Sequence, residues 1–271
     1  MSKLFLSALL FFMTAASAAV FQWHDSDGQT HYSDRLQPGA EQVRLPPDFV
    51  YIPVEYVYDG DTVRLQDGRK IRLLNINTPE IESERKRGEP GGKEAKARLE
   101  SLVQGQKVRL EYDVEHRDKY GRTLAYLFNE QRMHLNRLLV REGWAIASIH
   151  PPNLKYLDAI LAAQAEAERE KRGIWHMAHY AAKPIEILRR KHLHGWQRLI
   201  GTPLTIKQGR KYLRLLYAAD LAVMIPKANL KWFPNLDAYL GRRLEVRGWP
   251  SRRGRIHSIL VRHPSALIIL D

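Results

Sequence analysis

Thr62-Val63-Arg64-Leu65, Gln66-Asp67-Gly68-Arg69, Lys70-Ile71-Arg72-Leu73-Leu74 and Asn75-Ile76-Asn77-Thr78-Pro79-Glu80 follow one another without a break. The two strand-like runs flank Asp67-Gly68, a dipeptide suited to a tight hairpin turn, which predicts an antiparallel pair over 62–65 and 70–74. Upstream, Val54-Glu55-Tyr56-Val57 leads into a turn at Asp59-Gly60-Asp61. Downstream, Val108, Leu110, Tyr112 and Val114 alternate with polar residues, the pattern of a half-buried strand, and 124–128 reads as another. Helices are expected over 91–103 and 135–142. A third is expected over 153–172, where Leu154, Leu157, Leu161 and Ala165 fall on one face. Asn153, just after Pro151-Pro152, suits its N-cap, and Gly173 its end. Five short strands interleaved with helices predict a small closed barrel with helices packed on it.

This segment, 50–180, has neighbours on both sides. At the start, Lys3, the apolar run 4–13 and the small residues 14–19 read as an export signal occupying 1–19. Cleavage fits Ala16-Ser17-Ala18 or Ser17-Ala18-Ala19, with an uncleaved anchor as the alternative. The run is short of the roughly 20 apolar residues that spanning requires, so no stable membrane insertion is expected. The 20–47 segment reads as a small β-hairpin and linker. Aromatic runs around Trp23 and Tyr32 flank Asp27-Gly28, both rings are expected to supply packing, and prolines crowd 36–47. The 183–271 segment carries several strand-like runs with Trp196, Trp232 and Trp249 among them, and predicts a second, OB-like β-barrel. Most of its tryptophans are expected in the core. The fold class is therefore α+β, mainly β: an OB-fold-like five-stranded barrel with packed helices, an N-terminal hairpin and a C-terminal barrel.

The 271 residues are 44% hydrophobic, enough for packed cores. Lys and Arg number 43 against 30 Asp and Glu, for a net charge of +13. Such an excess is a field that attracts a polyanion, either nucleic acid or an anionic membrane or wall surface. Cysteine is absent, which excludes disulfides and thiol catalysis.

Phosphodiester hydrolysis needs a hard cation, cationic side chains against growing phosphate charge, and a base for water. Oxygen donors suit such a cation. Asp59-Gly60-Asp61-Thr62 presents two carboxylates on a turn. Arg72 to Glu80 brings an Arg, Asn77, Thr78 and Glu80 to a strand end at a proline. Asp118-Lys119-Tyr120-Gly121-Arg122 is a turn opening a strand. In order and wording these motifs resemble the staphylococcal-nuclease (thermonuclease) family. The resemblance runs over 51–175 and includes Arg172-Gly173-Ile174-Trp175.

That resemblance implies a calcium-dependent nuclease acting on DNA and RNA, preferring single-stranded or frayed substrate and leaving 3′-phosphates. Asp61 matches the calcium-binding carboxylate, Asn77 the position of a second metal carboxylate, and Thr78 a carbonyl ligand. Glu80 matches the general base, and Arg72 and Arg122 the guanidiniums that grip the phosphate. Asn77 departs from the usual Asp and predicts calcium affinity lower by roughly one to two orders of magnitude. Ser148 and His150 stand where the family's best-known member has tyrosines near the nucleotide. The alternative is a nucleic-acid-binding protein on a catalytically weakened nuclease fold.

The loop 81–90, rich in charge beside Glu80, is expected as a flap over the site. His176, His179, His192 and His194 lack the accompanying ligands of a zinc site. The hairpin resembles a small domain of unknown function found after export signals in proteobacterial envelope proteins. The tail, with Leu244-Glu245-Val246-Arg247-Gly248-Trp249 and Val261-Arg262-His263-Pro264, resembles an extra barrel that follows the nuclease domain in some bacterial relatives, and two roles are open for its aromatics and cations: stacking bases and holding phosphates, or filling its core. Export to the periplasm or beyond is expected. A monomer is favoured, with the oligomeric state left open.

Overall fold

A computed structural model describes residues 20–25, 28–33, 35–43, 50–83, 87–191 and 193–270. The export-signal reading of 1–19 lies outside the described residues. The chain divides into two units, Met1–Val50 and Tyr51–Asp271. In the first, β1 (Val20–His24) pairs antiparallel with β2 (Thr30–Ser33) on one side and β3 (Glu41–Val43) on the other. Part of the expected linker thus supplies a third strand, which gives the hairpin a partner on its open edge. Trp23 is half-buried and stacks on His31 with ring centroids 5.3 Å apart, whereas Tyr32 is exposed.

The second unit opens with β4 (Tyr51–Asp59), β5 (Thr62–Leu65), β6 (Lys70–Leu73) and the short β7 (Ile76–Asn77). Helix α1 (Gly92–Val103), β8 (Lys107–Glu111) and β9 (Thr123–Asn129) follow, then α2 (Leu135–Arg141), β10 (Ile146–Ala147) and α3 (Leu157–Arg169). Strands β4, β5, β6, β9 and β8 close into the expected barrel in that order. Closure rests on β4. Register shifts at Val54/Tyr56 and Val57/Asp59 bend it, so one strand pairs with both β5 and β8. Inside lie Val63, Leu65, Ile71, Leu73, Val108, Ala125 and Leu127, capped by Leu99 of α1 and Leu139 of α2.

Strands β6 and β9 run parallel, with Arg72 beside Leu124. Arg122 precedes Leu124 by two positions, so both arginines project from one face of the sheet. Strand β7 pairs with β10, Asn77 opposite Ile146, which draws Ser148 and His150 toward the same end.

Three local expectations are corrected. The strand expected to continue through Tyr112 and Val114 ends at Glu111, and both side chains are exposed. Helix α3 begins at Leu157 and is preceded by Tyr156 rather than capped by Asn153. Asn153 is buried, and its Oδ1 accepts the Glu115 N–H at 2.8 Å. Its inward face is Ile160, Ala163, Gln164 and Ala167, with Leu154, Leu157 and Leu161 at the margin and Ala165 exposed.

Beyond 180 the chain forms β11 (Lys183–Pro184), β12 (Gln197–Gly201), β13 (Thr205–Gln208), β14 (Tyr212–Ala218) and β15 (Leu221–Pro226). Strands β16 (Leu244–Gly248), β17 (Pro250–Arg253), β18 (Ile256–Leu260) and β19 (Leu267–Ile269) complete it. They form two sheets, β11-β12-β16-β19 and β13-β14-β15-β18-β17. The sheets enclose one core that includes Leu199, Leu215, Val223, Val246 and Ile259. This β segment is docked on α3. Arg247 pairs through both Nη atoms with Glu168, and Glu245 accepts from Arg198 and Arg247. Trp175 lies under both guanidiniums, and with Trp196, Tyr180 and Ile174 it forms a small apolar cluster at the junction. No helix among the described residues is long and apolar enough to cross a membrane.

Candidate active site

The turn after β4 sets the first carboxylate. Asp59 Oδ1 accepts the Asp61 N–H at 3.1 Å, and the Asp61 carbonyl accepts Leu73 N–H at 2.9 Å, tying turn to β6. Asp61 is buried. Its Oδ1 accepts from Thr62 Oγ1 at 2.9 Å and its Oδ2 from the Thr78 N–H at 3.1 Å. Gly60 is obligatory by contact, since a Cβ there would lie 2.7 Å from Thr78 Cγ2 and 2.8 Å from Ala95 Cβ. Gly60→Ala is expected to destabilise the protein by about 1–3 kcal/mol through overpacking. Denaturant unfolding checks this, and an unchanged midpoint would remove Gly60 from the support of Thr78.

Arg72 joins the donors. Its Nη2 lies 2.8 Å from Asp61 Oδ2 and donates to Asn77 Oδ1 at 2.9 Å, while Nη1 donates to the Leu73 carbonyl at 2.7 Å. Asn77 Nδ2 donates to the Thr78 carbonyl at 2.8 Å. Burial pushes the Asp61 carboxyl well above the usual carboxylate range; Arg72 pulls it down and Asp59 adds to the rise. The direction is set first by burial, which the Arg72 guanidinium offsets only in part. The donors are a carboxylate, an amide oxygen and a backbone carbonyl. Each of the latter two takes one N–H and keeps a second lone pair. This all-oxygen set fits a hard cation. No group of three or more His, Asp or Glu side chains suited to a metal occurs among the described residues.

Arg72, Asn77 and Arg122 line one cleft of about 560 Å³. Arg122 is held from behind. Asp118 Oδ2 accepts its Nε at 2.7 Å and Oδ1 its backbone N–H at 3.0 Å. Burial opposes ionisation of Asp118, but the hydrogen bonds from Arg122 and Tyr120 hold its carboxyl below the usual range. Glu80 lines a second cavity, with Glu89, Arg87 and His194. There the Glu89 N–H donates to the Glu80 carbonyl at 2.8 Å and the Glu80 N–H to Glu89 Oε2 at 3.3 Å. The expected flap 81–90 is thus pinned near its ends. Tyr180 Oη donates to the Pro90 carbonyl at 2.8 Å, and His194 Nε2 lies 3.3 Å from the Arg87 carbonyl. Residues 84–86 of the loop, and His192, lie outside the described residues.

Asn75, which has no role in the sequence reading, supports the site from behind. Asn75 sits at φ 60, in the left-handed region that Asn tolerates. Its Nδ2 donates to Tyr126 Oη at 2.9 Å and to the Asn153 carbonyl at 2.8 Å, and its carbonyl accepts the Ser148 N–H at 2.8 Å. It therefore fixes the wall carrying Ser148 and His150. An Asn between an apolar strand and a second Asn was the available signal. Trp249 and Arg262, from the two stretches that carry the tail's resemblance, also line the cleft.

A family model described as "Staphylococcal nuclease homologue" matches residues 70–177. The thermonuclease of Staphylococcus intermedius is 36% identical over 172 residues, which are 62% of this chain and 96% of that protein. The chain belongs to the staphylococcal nuclease family. The thermonuclease of Staphylococcus hyicus is 41% identical over 122 residues, covering 44% of this chain and 72% of its own. Endonuclease YncB of Bacillus subtilis is 30% identical over 161 residues, 58% of this chain and 76% of its own. A second model, "Domain of unknown function (DUF4124)", matches residues 7–48, the hairpin singled out around Trp23. Within the family match lie Arg72, Asn77, Thr78, Glu80 and Arg122, whereas Asp61, Trp249 and Arg262 lie outside it.

Proposed function

We propose that this member of the staphylococcal nuclease family, a phosphodiester-hydrolysing nuclease, is exported and works with calcium on single-stranded or frayed DNA or RNA. The observation that carries the reading is the Arg72 guanidinium, which bridges Asp61 and Asn77 and shares a cleft with Arg122. In this reading Asp61, Asn77 Oδ1 and the Thr78 carbonyl hold the cation. Bound there, calcium supplies Lewis-acid charge against the phosphate. Arg72 and Arg122 bind the phosphate oxygens and stabilise the charge that grows as water attacks. Glu80 accepts the proton of the attacking water, and Arg122 assists the leaving oxygen. Export to the periplasm or outside the cell follows from the reading of 1–19.

A second reading rests on Asn77. Its amide already donates to the Thr78 carbonyl, and it brings no charge to the cation. On that reading the fold binds strands and cuts poorly. Cleavage of labelled single-stranded DNA across a calcium titration separates the two. Wild type should cut with calcium, Glu80→Gln should lose cutting, and Asn77→Asp should need roughly 10- to 100-fold less calcium. Strand binding that survives chelator, with no cutting at any calcium level, would leave only the binding protein.

A further inference from the structure

The cleft beside Arg72 and Arg122 has one wall from the barrel and one from the C-terminal β segment. On the barrel side stand Arg117, Lys119, the 72% exposed ring of Tyr120, and His150. On the other side stand Trp249, in the link between β16 and β17, and Arg262, just after β18. Two properties of this second wall call for a ligand.

Trp249 is 38% exposed and has no ring partner among the described residues, whereas Trp196 is buried in the junction and Trp175 lies under two guanidiniums. The indole therefore has an open part on the cleft wall. Arg262 is half-buried, and burial lowers its guanidinium pKa. Its side chain has no ion pair or hydrogen bond among the described residues; the Tyr212 phenol favours its charge only weakly against burial, and its carbonyl accepts from Asn229. The cleft's other two catalytic-face guanidiniums are both partnered, Arg72 by Asp61 and Arg122 by Asp118. A partly desolvated cation without an anion is costly, and a phosphate supplies the missing charge with matching bidentate geometry.

His150 on the barrel wall adds an aromatic ring to the cleft. Its side chain is exposed to solvent, and desolvation, with Arg262 and Arg72 nearby, moves the imidazole pKa below its usual range. A neutral ring adds an aromatic face and a polar edge without competing for the anion.

We propose that Trp249 and Arg262 form a nucleotide-binding subsite, in which the indole stacks on a base of the bound strand and the guanidinium holds a phosphate flanking the one gripped by Arg72 and Arg122. This makes the C-terminal β segment one jaw of the substrate cleft, and it rests on the nuclease reading above. The surface is sequence-tolerant, because every base offers a face for stacking.

The test uses the full chain and a fluorescein-labelled single-stranded 12-mer DNA. Binding is measured by anisotropy in chelator and cleavage separately in calcium. Trp249→Ala should weaken binding by about tenfold. Arg262→Gln should weaken it as well and flatten the salt dependence of log K by about 0.7. Arg252→Gln, which removes an exposed charge outside the cleft, should bind within twofold of wild type. Trp249→Phe preserves a stacking ring and should retain most binding while losing most of the strand-induced quenching of indole emission. Thermal midpoints within a few degrees of wild type identify variants that fold, and Arg262→Gln and Trp249→Phe keep the test open if Trp249→Ala does not.

Wild-type binding in both Trp249→Ala and Arg262→Gln, or unchanged quenching in Trp249→Phe, would overturn the subsite while leaving wild-type cleavage intact. Loss of binding in the variants, with no calcium-dependent cutting by wild type, would support the subsite and sink the nuclease reading instead. Failure of wild type to bind the strand in chelator would overturn the subsite, and failure to cut it in calcium as well would overturn both.

Discussion

Arg122→Ala should lower the turnover of single-stranded DNA by about 10²–10³-fold, the usual result of removing a preorganised donor to a developing oxyanion. The side chain is a tethered tool. Asp118 takes its Nε and its backbone N–H, and Tyr120 lies under the guanidinium at 5.6 Å. The Nη groups make no hydrogen bond among the described residues, while the residue lines the cleft. Orientation is therefore fixed before substrate arrives, and little reorganisation is left for the reacting state. Because Arg122 lies at the edge of the barrel core, the thermal midpoint should move by only a few degrees. Arg122→Lys keeps the charge but loses the fork, so it should fall between alanine and wild type. Single-turnover rates with saturating calcium give the comparison. An alanine variant within tenfold of wild type would take Arg122 out of the phosphate grip.

The largest stability loss is expected from Glu245→Ala, about 3–5 kcal/mol. Glu245 is 3% exposed and accepts from Arg198 Nε and Nη2, each at 2.8 Å, and from Arg247 Nε at 2.6 Å. Burial opposes its ionisation, but the two arginines prevail and hold its carboxyl below the usual range. Removing it leaves two guanidiniums against Trp175, with Glu168 alone to balance them. In a unit of this size the loss corresponds to roughly 10 °C in thermal midpoint. Glu245→Gln retains hydrogen-bonding atoms without the charge and should lose less. A shift under 2 °C in the alanine variant would show that the network does not hold the C-terminal segment to α3.

Much of the barrel was legible because its cues are local. Asp67-Gly68 marks the hairpin, and Gly68 adopts φ 84 there. The apolar spacing of Ala95, Leu99 and Val103 marks α1. The candidate residues are also close in sequence: Asp61 follows β4, Arg72 lies in β6, and Asn77 and Thr78 stand at the end of β7. What escaped depends on partners distant in sequence. Asn153 is a good capping residue by type, yet its side chain serves Glu115 from across the fold. The 36–47 stretch reads as linker from its prolines, but 41–43 pairs with β1. Glu80 adjoins the other candidate residues in sequence and still lines a different cavity, because its backbone pairs with Glu89. The type of Trp249 and Arg262 suits stacking and phosphate contact, but they lie more than a hundred residues from the candidate catalytic turns, and only the docking of the second β segment brings them to the cleft.

The parallel pairing of β6 with β9 also says when the site comes into being. Arg72 and Leu124 are neighbours in the sheet but about fifty residues apart along the chain, and such long-range pairings form slowly because loop closure precedes their reward. The hairpin bearing Arg72 is local and can form early. The partner arginine arrives only when the barrel shuts. On the reading that these two arginines grip phosphate, phosphate affinity is a late property on the folding coordinate, and a chain kept unfolded carries both arginines without that pairing.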